Sequence, residues 1–115
     1  MRIWLDDLRQ PQGTGWTWLK TYEEAIEALK NERVEEISFD NDLGTQKEGY
    51  DVAKWIENMA ADTAIDRMIW HIHSANPIGR KNIIAAMKKA DSFWYYQEDT
   101  EEDDEEELPE KGEWQ

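Results

Sequence analysis

Residues 68–74, Met-Ile-Trp-His-Ile-His-Ser, are the stretch that decides the fold, because this run is short, nearly continuous and apolar. Asn76-Pro77 and Gly79 break the chain directly after it. A short apolar run bounded by turn residues is typical of a strand in a parallel sheet that is covered on both faces. The stretch therefore predicts a buried strand within an α/β domain.

The segments on either side alternate between strand patterns and helical patterns. The further strand patterns occupy residues 2–7, 16–20, 34–39 and 93–96. Stripes of apolar residues at helical spacing follow Thr21, Gly49 and Gly79, whereas residues 8–15 carry turn chemistry. Such alternation predicts a mostly parallel sheet with helices on its faces. We expect the strand order 2-1-3-4, with the 93–96 strand at the far edge.

Composition excludes several classes of protein. The 115 residues suit one domain, and the absence of cysteine excludes disulfide scaffolds, cysteine-ligated metal sites and thiol nucleophiles. A net charge of −14 excludes wrapping of duplex DNA by charge alone. Since no apolar run is long enough to span a membrane, we expect no membrane partner and a soluble, cytoplasmic protein.

The acidity is concentrated at the C-terminus. Residues 98–115 contain 11 acids and one base. A block of like charges with little to bury predicts a disordered acidic tail, which leaves residues 1–97 as the folded domain. The tail either provides solubility or docks to a basic partner by imitating a nucleic-acid backbone, and the sequence leaves both roles open.

Three predicted strands end in polar residues that a core does not require. The first ends in Asp6 and Asp7, the third leads into Asp40 and Asp42, and the fourth ends at His73. The carboxyl ends of parallel strands meet at one edge of a sheet, so the four carboxylates are expected to converge there. A hard cation such as Mg²⁺ relieves their repulsion. The alternative is that these acids are ordinary caps and turn residues.

Other candidate residues allow two interpretations each. Arg80, in the helix start at residues 76–82, either grips a phosphate or belongs to a plain Asn-Pro turn. His73 is either a general acid or base or a core residue, whereas His71 is expected to be structural. Trp16 and Trp18 either stack a nucleobase or cover the place of a missing first helix.

Two resemblances account for these motifs. Over residues 1–97 the chain resembles the receiver domain of response regulators, with Asp6-Asp7 as the acidic pair, Asp40 as the phosphoacceptor and Ser74-Ala75 as the Ser/Thr-Ala step. The resemblance implies a receiver-like (flavodoxin-like) parallel sheet. The chain departs from that family in lacking the first helix, in having the acidic tail where the last helix belongs, and in having Tyr96 near the position of the last-strand lysine.

The closer resemblance is to the cyclic-phosphate-processing receiver-like family of bacteria and phages. The resemblance rests on the motifs WLDD, GWTWLKTYEEAIEAL, VEEISFDNDLG, GYDVAKWIE and HSANPIGRKN. The resemblance implies a Mg²⁺ or Mn²⁺ site made by Asp6, Asp7, Asp40 and Asp42. It further implies that the phosphate is handled by His73, Ser74, Asn76 and Arg80. Asn41 stands where that family usually has histidine.

Two functions follow from these observations. The leading hypothesis is metal-dependent processing of a cyclic phosphate, either an RNA 2′,3′-cyclic-phosphate end or a related cyclic nucleotide. The alternative is a non-catalytic binding or inhibitor module of phage origin, which acts through its pocket or its acidic tail on a basic host protein. Asn41 and the tail favour the alternative, and the aspartates with HSANPIGR favour the enzyme.

Overall fold

The computed structural model describes the backbone of residues 1–103 and the side chains of residues 1–96. These residues form four strands and three helices: β1 (Arg2–Leu5), β2 (Thr17–Leu19), α1 (Tyr22–Asn31), β3 (Glu36–Phe39), α2 (Gly49–Ala61), β4 (Ile69–Ile72) and α3 (Pro77–Asp103). The predicted disordered tail falls largely outside the described residues and stays a prediction. Within the described range, no helix combines the length and apolarity that a membrane span requires.

All four strands are parallel, and their order in the sheet is β2-β1-β3-β4. This order confirms the predicted 2-1-3-4 arrangement and the receiver-like α/β fold. In register, Ile3 of β1 lies beside Ile37 of β3, which in turn lies beside Trp70 of β4. The carboxyl ends of all four strands therefore point to the same edge of the sheet.

The sheet packs its helices on one face only. Alternate strand residues, such as Leu5, Phe39 and Ile72, join one apolar core with buried residues of all three helices. On the opposite face, Ile69 is 62% exposed and the side chain of His71 is 51% exposed. The expectation that this strand is covered on both faces was therefore wrong.

The direction of the chain crossovers explains the single helical layer. The steps from β2 to β3 and from β3 to β4 run the same way across the sheet, so right-handed connections place α1 and α2 on the same face. The step from β1 to β2 runs the opposite way, so residues 6–16 pass over the other face. There the indole of Trp4 donates to the carbonyl of Arg9 at 2.8 Å, and Trp16 packs edge-on against Trp4. The irregular segment is confirmed, and Trp16 covers this face of the sheet. The alternative, in which Trp16 and Trp18 stack a nucleobase, stays a prediction.

Residues 93–96 are helical, and the predicted fifth strand was wrong. The apolar stripe of α3 continues from Ile83 through Met87 and Ala90 to Trp94, which is 3% exposed. The indole of Trp94 also donates to the carbonyl of Ile65 at 3.0 Å. Aromatic residues favour strands only weakly, and here the helical spacing of the buried positions outweighs that preference.

Local capping sets where α1 and α2 begin. The hydroxyl of Thr21 accepts from the amide of Glu24, as the capping pattern predicts, and Asn31 is the last residue of α1. At the start of α2, the carboxylate of Asp51 accepts from the amide of Glu48 at 2.7 Å. The start of α2 is also tied to the carboxyl edge of the sheet, because the amide of Gly49 donates to the carbonyl of Asn41 at 2.8 Å.

Candidate functional site

The backbone ladder aligns three site residues at the carboxyl edge. One residue beyond each strand, the amide of Asp6 donates to Leu19, that of Asp40 donates to Leu5, and that of His73 donates to Phe39. These bonds are 3.0, 2.8 and 2.9 Å long. Because the ladder continues past the strands, the side chains of residues 6, 40 and 73 start from adjacent, fixed positions.

Three of the four predicted carboxylates meet at this edge. One oxygen each from Asp6, Asp7 and Asp40 lies within 4.8 Å of the other two. Asp6 is 1% exposed, whereas Asp7 and Asp40 are half-buried. Oxygen donors so close together fit a hard divalent cation such as Mg²⁺ or Mn²⁺, which is commonly held by a few carboxylates and waters.

The pKa values of Asp6 and Asp40 are shifted in opposite directions. Burial raises the pKa of Asp6, but hydrogen bonds from the amides of Arg9 and Leu8 and from His73 outweigh burial and hold the pKa below its ordinary value. Burial, followed by the charge of Asp6, raises the pKa of Asp40, and this rise exceeds the opposing effect of the Ser74 hydrogen bond. A cation at this edge would therefore relieve the burial and the repulsion that act on the charge of Asp40.

His73 orients Asp6 through a fixed imidazole. Its Nε2 lies 3.0 Å from Oδ2 of Asp6, and its Nδ1 lies 2.8 Å from Oγ of Ser38. Burial lowers the pKa of His73 despite the opposing effect of Asp6, so the ring is neutral at neutral pH. A carboxylate only accepts, so Nε2 carries the proton and Nδ1 accepts from the hydroxyl of Ser38.

The ring of His73 is also stacked on an indole. Its centroid lies 3.8 Å from that of Trp4, and the two planes differ by 7°. Stacking of this kind contributes about 1 kcal/mol beyond the buried area. With both nitrogens hydrogen bonded and one face covered, the ring is a rigid support for Asp6. His73 is thus a largely buried histidine whose hydrogen bonds are satisfied, and its action as a general acid or base stays a prediction.

Asp42 stands apart from the three clustered aspartates. Both of its carboxylate oxygens lie 3.4 Å from Nδ2 of Asn76. The Oδ1 atom of Asn76 accepts from the amides of Ile78 and Gly79 at 3.1 and 3.0 Å, so Asn76 caps α3. The predicted anion site at this helix start is therefore already filled by the side chain of the cap.

Ser74 links the fourth strand to the acidic cluster. It is 4% exposed, its side chain is hydrogen bonded to Asp40, and its Oγ accepts from the amide of Asn76 at 3.1 Å. The serine hydroxyl therefore ties a carboxylate of the cluster to the loop that starts α3.

Arg80 lies on the outer side of β4. Its Nη1 donates to the carbonyls of Ile72 and Ser74 at 3.1 and 3.3 Å. The amides of Ile69 and His73 point toward β3, so the main-chain groups of Ile72 point to the free edge of the sheet. The guanidinium of Arg80 thus clamps the end of β4 from the side away from β3.

Asn41 is a buried structural residue. It is 3% exposed, and its Oδ1 accepts from the amide of Tyr50 at 3.1 Å. A Cβ on Gly79 would come within 2.5 Å of its side chain, so α3 packs directly against it. A side chain at this position therefore lies between the starts of α2 and α3.

Sequence reasoning missed three residues of the site. Ser38 and Trp4 hold His73, and the exposed Arg9 donates from Nη1 to the carbonyl of His73 at 3.3 Å. For Ser38, the signal was a polar residue inside the apolar strand pattern VEEISF. For Arg9, the only signal was a base two residues after Asp7. Trp18, whose indole donates to the carbonyl of Asp6 at 2.7 Å, braces the same edge.

The comparison with known proteins agrees with this geometry. The family model of the cyclic-phosphate processing receiver domain matches residues 1–89, which include every residue of the acidic edge. No curated protein and no solved structure matches the chain. The matched residues make up well over half of the chain, and we conclude that it belongs to the cyclic-phosphate processing receiver domain family.

Proposed function

We propose that this protein is a metal-dependent phosphoesterase that opens a cyclic phosphate at the end of an RNA. The observation that supports the proposal is the convergence of Asp6, Asp7 and Asp40 at the carboxyl edge of a domain of this family. In open α/β sheets this edge is where ligands bind. The proposed partner is a phosphate-bearing RNA end or small molecule in the cytoplasm, in an RNA-repair setting of a bacterium or phage.

The reaction is the hydrolysis of a 2′,3′-cyclic phosphate. The oxygen of a water molecule forms a bond to phosphorus, and the bond between phosphorus and one of the two ribose oxygens breaks. That ribose oxygen takes up a proton. The product is a phosphate monoester with a neighbouring free hydroxyl. A divalent cation held by the three aspartates would supply positive charge to the phosphoryl oxygens, where phosphoryl transfer gains most of its stabilisation.

The side chains around the aspartates hold them in place. Ser38 donates to His73, which donates to Asp6, and the amides of Leu8 and Arg9 fix the other oxygen of Asp6 at 2.9 and 2.7 Å. Hydrogen bonds of this kind set the orientation of carboxylate ligands. We therefore assign His73 a positioning role, since both of its ring nitrogens are already engaged.

The test is incubation with an oligonucleotide that ends in a 2′,3′-cyclic phosphate, with Mg²⁺ or Mn²⁺ present, followed by analysis of the end groups. We expect conversion to a monoester by the wild-type chain and a loss of at least 100-fold in Asp40→Asn, because a ligand charge is removed. Asp66→Asn is the matched control, since Asp66 is exposed and pairs with Arg33 at the other end of β3.

Two outcomes would count against the proposal. Binding of the oligonucleotide without turnover by the wild-type chain would favour the non-catalytic binding module. Turnover that is equal with and without EDTA would show that the acidic cluster is not a metal site in the reaction.

A further inference from the structure

We infer that Arg9 is the residue that binds the phosphate beside the acidic cluster, and that Arg80 instead supports the loop after β4. This assignment rests on the proposed function, since it names the group that receives the substrate's negative charge. It differs from the expectation that the sequence suggested, which placed Arg80 on the phosphate.

The guanidinium groups of Arg9 and Arg80 have different partners. Arg9 reaches the carbonyl of His73, and the imidazole of the same residue is hydrogen bonded to Asp6 of the acidic cluster. Arg80 reaches the carbonyl of Ile72, which points away from β3, and the carbonyl of Ser74. The guanidinium of Arg80 therefore contacts main-chain carbonyls at the end of β4 and in the loop that follows it. Arg9 is instead attached to the acidic cluster, because its amide donates to Asp6.

The backbone of Arg9 is held at both of its polar groups. Its amide donates to Oδ1 of Asp6 at 2.7 Å, and its carbonyl accepts from the indole of Trp4 at 2.8 Å. Both polar groups of the backbone are thus fixed by residues that also hold His73. The side chain itself is exposed. An exposed guanidinium that is held by a fixed backbone and by the carbonyl of His73 is pre-organised for a ligand.

The charge of the acidic cluster does not by itself favour a phosphate. Three carboxylates and one divalent cation leave a net charge of about −1, which repels a phosphodiester that also carries about −1. A guanidinium beside the cluster offsets that repulsion. Its unused donors also match two phosphoryl oxygens, which a single ammonium group does not. The ligand expected here is therefore a phosphate anion with two free oxygens, as in a cyclic phosphodiester.

The experiment measures binding of 2′,3′-cyclic AMP at saturating Mg²⁺ by calorimetry, together with Mg²⁺ affinity in the absence of nucleotide. We expect Arg9→Ala to weaken nucleotide binding about tenfold to a hundredfold, the range for hydrogen bonds to charged groups. Its Mg²⁺ affinity should be unchanged or higher, because a nearby positive charge is removed while the backbone bond to Asp6 remains. Arg9→Lys should bind with intermediate strength.

Arg33→Ala is the matched control, since it removes the same charge from an exposed position at the other end of the sheet. Nucleotide binding by Arg9→Ala at the wild-type level would overturn the inference and leave the proposed function standing. A parallel loss of Mg²⁺ affinity in Arg9→Ala would also overturn it, because that result indicates a structural role. Absence of nucleotide binding by the wild-type chain would overturn the inference and the proposed function together.

Discussion

The substitution Asp40→Asn tests the electrostatics of the acidic edge most directly. Asp40 is half-buried, and one of its oxygens lies within 4.8 Å of an oxygen of Asp6 and one of Asp7. Burial and the charge of Asp6 already raise its pKa. Asparagine keeps the shape of the side chain and an oxygen that accepts from Ser74, but it removes the charge. We therefore expect the variant to be more stable than the wild-type chain when no divalent metal is present.

The size of the effect follows from Coulomb's law. Two unit charges about 4 Å apart repel by about 1 kcal/mol in water and by about 4 kcal/mol at an effective dielectric constant of about 20. Asp40 is half-buried, and its amide replacement still hydrogen bonds, so a gain near the lower end, about 1 kcal/mol, is expected. For a domain of this size that gain corresponds to a rise in Tm of about 4 °C.

Thermal unfolding with and without Mg²⁺ measures both halves of the prediction. A cation at one hundred times its Kd stabilises a protein by about 2.7 kcal/mol, so the Tm of the wild-type chain should rise and that of Asp40→Asn should stay nearly constant. Asp66→Asn should behave as the wild-type chain, since the exposed Asp66–Arg33 pair contributes little. A lower Tm for Asp40→Asn without metal would refute the repulsion, and a wild-type Tm that millimolar Mg²⁺ or Mn²⁺ leaves unchanged would refute the metal site.

Three further predictions concern pH, packing and the long helix. Hydrogen bonds from its arginine and histidine partners lower the pKa of Glu36, so its stabilising effect is present above its ordinary pKa of 4.5 and is lost as pH falls through the folded value. As the pH falls below 4.5, the free energy of urea unfolding should therefore decrease less in Glu36→Gln than in the wild-type chain. An equal decrease in the two proteins would contradict this. Gly49→Ala should cost about 2 kcal/mol or more in urea unfolding, because a Cβ there collides with the backbone carbonyl of Asp40; an unchanged midpoint would contradict this packing. Trp94→Ala should cost about 3 kcal/mol or more and Tyr96→Ala less than about 0.5 kcal/mol, as burial on one helix face requires, and similar losses would favour a strand.

The sequence by itself determined the chain order of the elements and the polar strand ends. Apolar runs of strand length separated by helical stripes admit few parallel topologies, so the order β2-β1-β3-β4 could be predicted. The positions of Asp6, Asp7 and Asp40 followed, because parallel strands end at a common edge. The element that was misjudged, residues 93–96, is the one where local aromatic preference and helical spacing disagree.

Only the tertiary structure decided which side chains of that edge act together. Asp42 has the right residue type and spacing, yet it is not among the clustered carboxylates and its oxygens lie near Asn76. Arg80 was predicted to hold a phosphate, yet its Nη1 donates to the main-chain carbonyls of Ile72 and Ser74. The support of Asp6 by His73 depends on Ser38, which is 35 residues away in the chain. Periodicity reports which face a side chain shares with its near neighbours along the chain. It carries no information on the partners that folding brings from distant strands, and those partners set the orientation and charge of this edge.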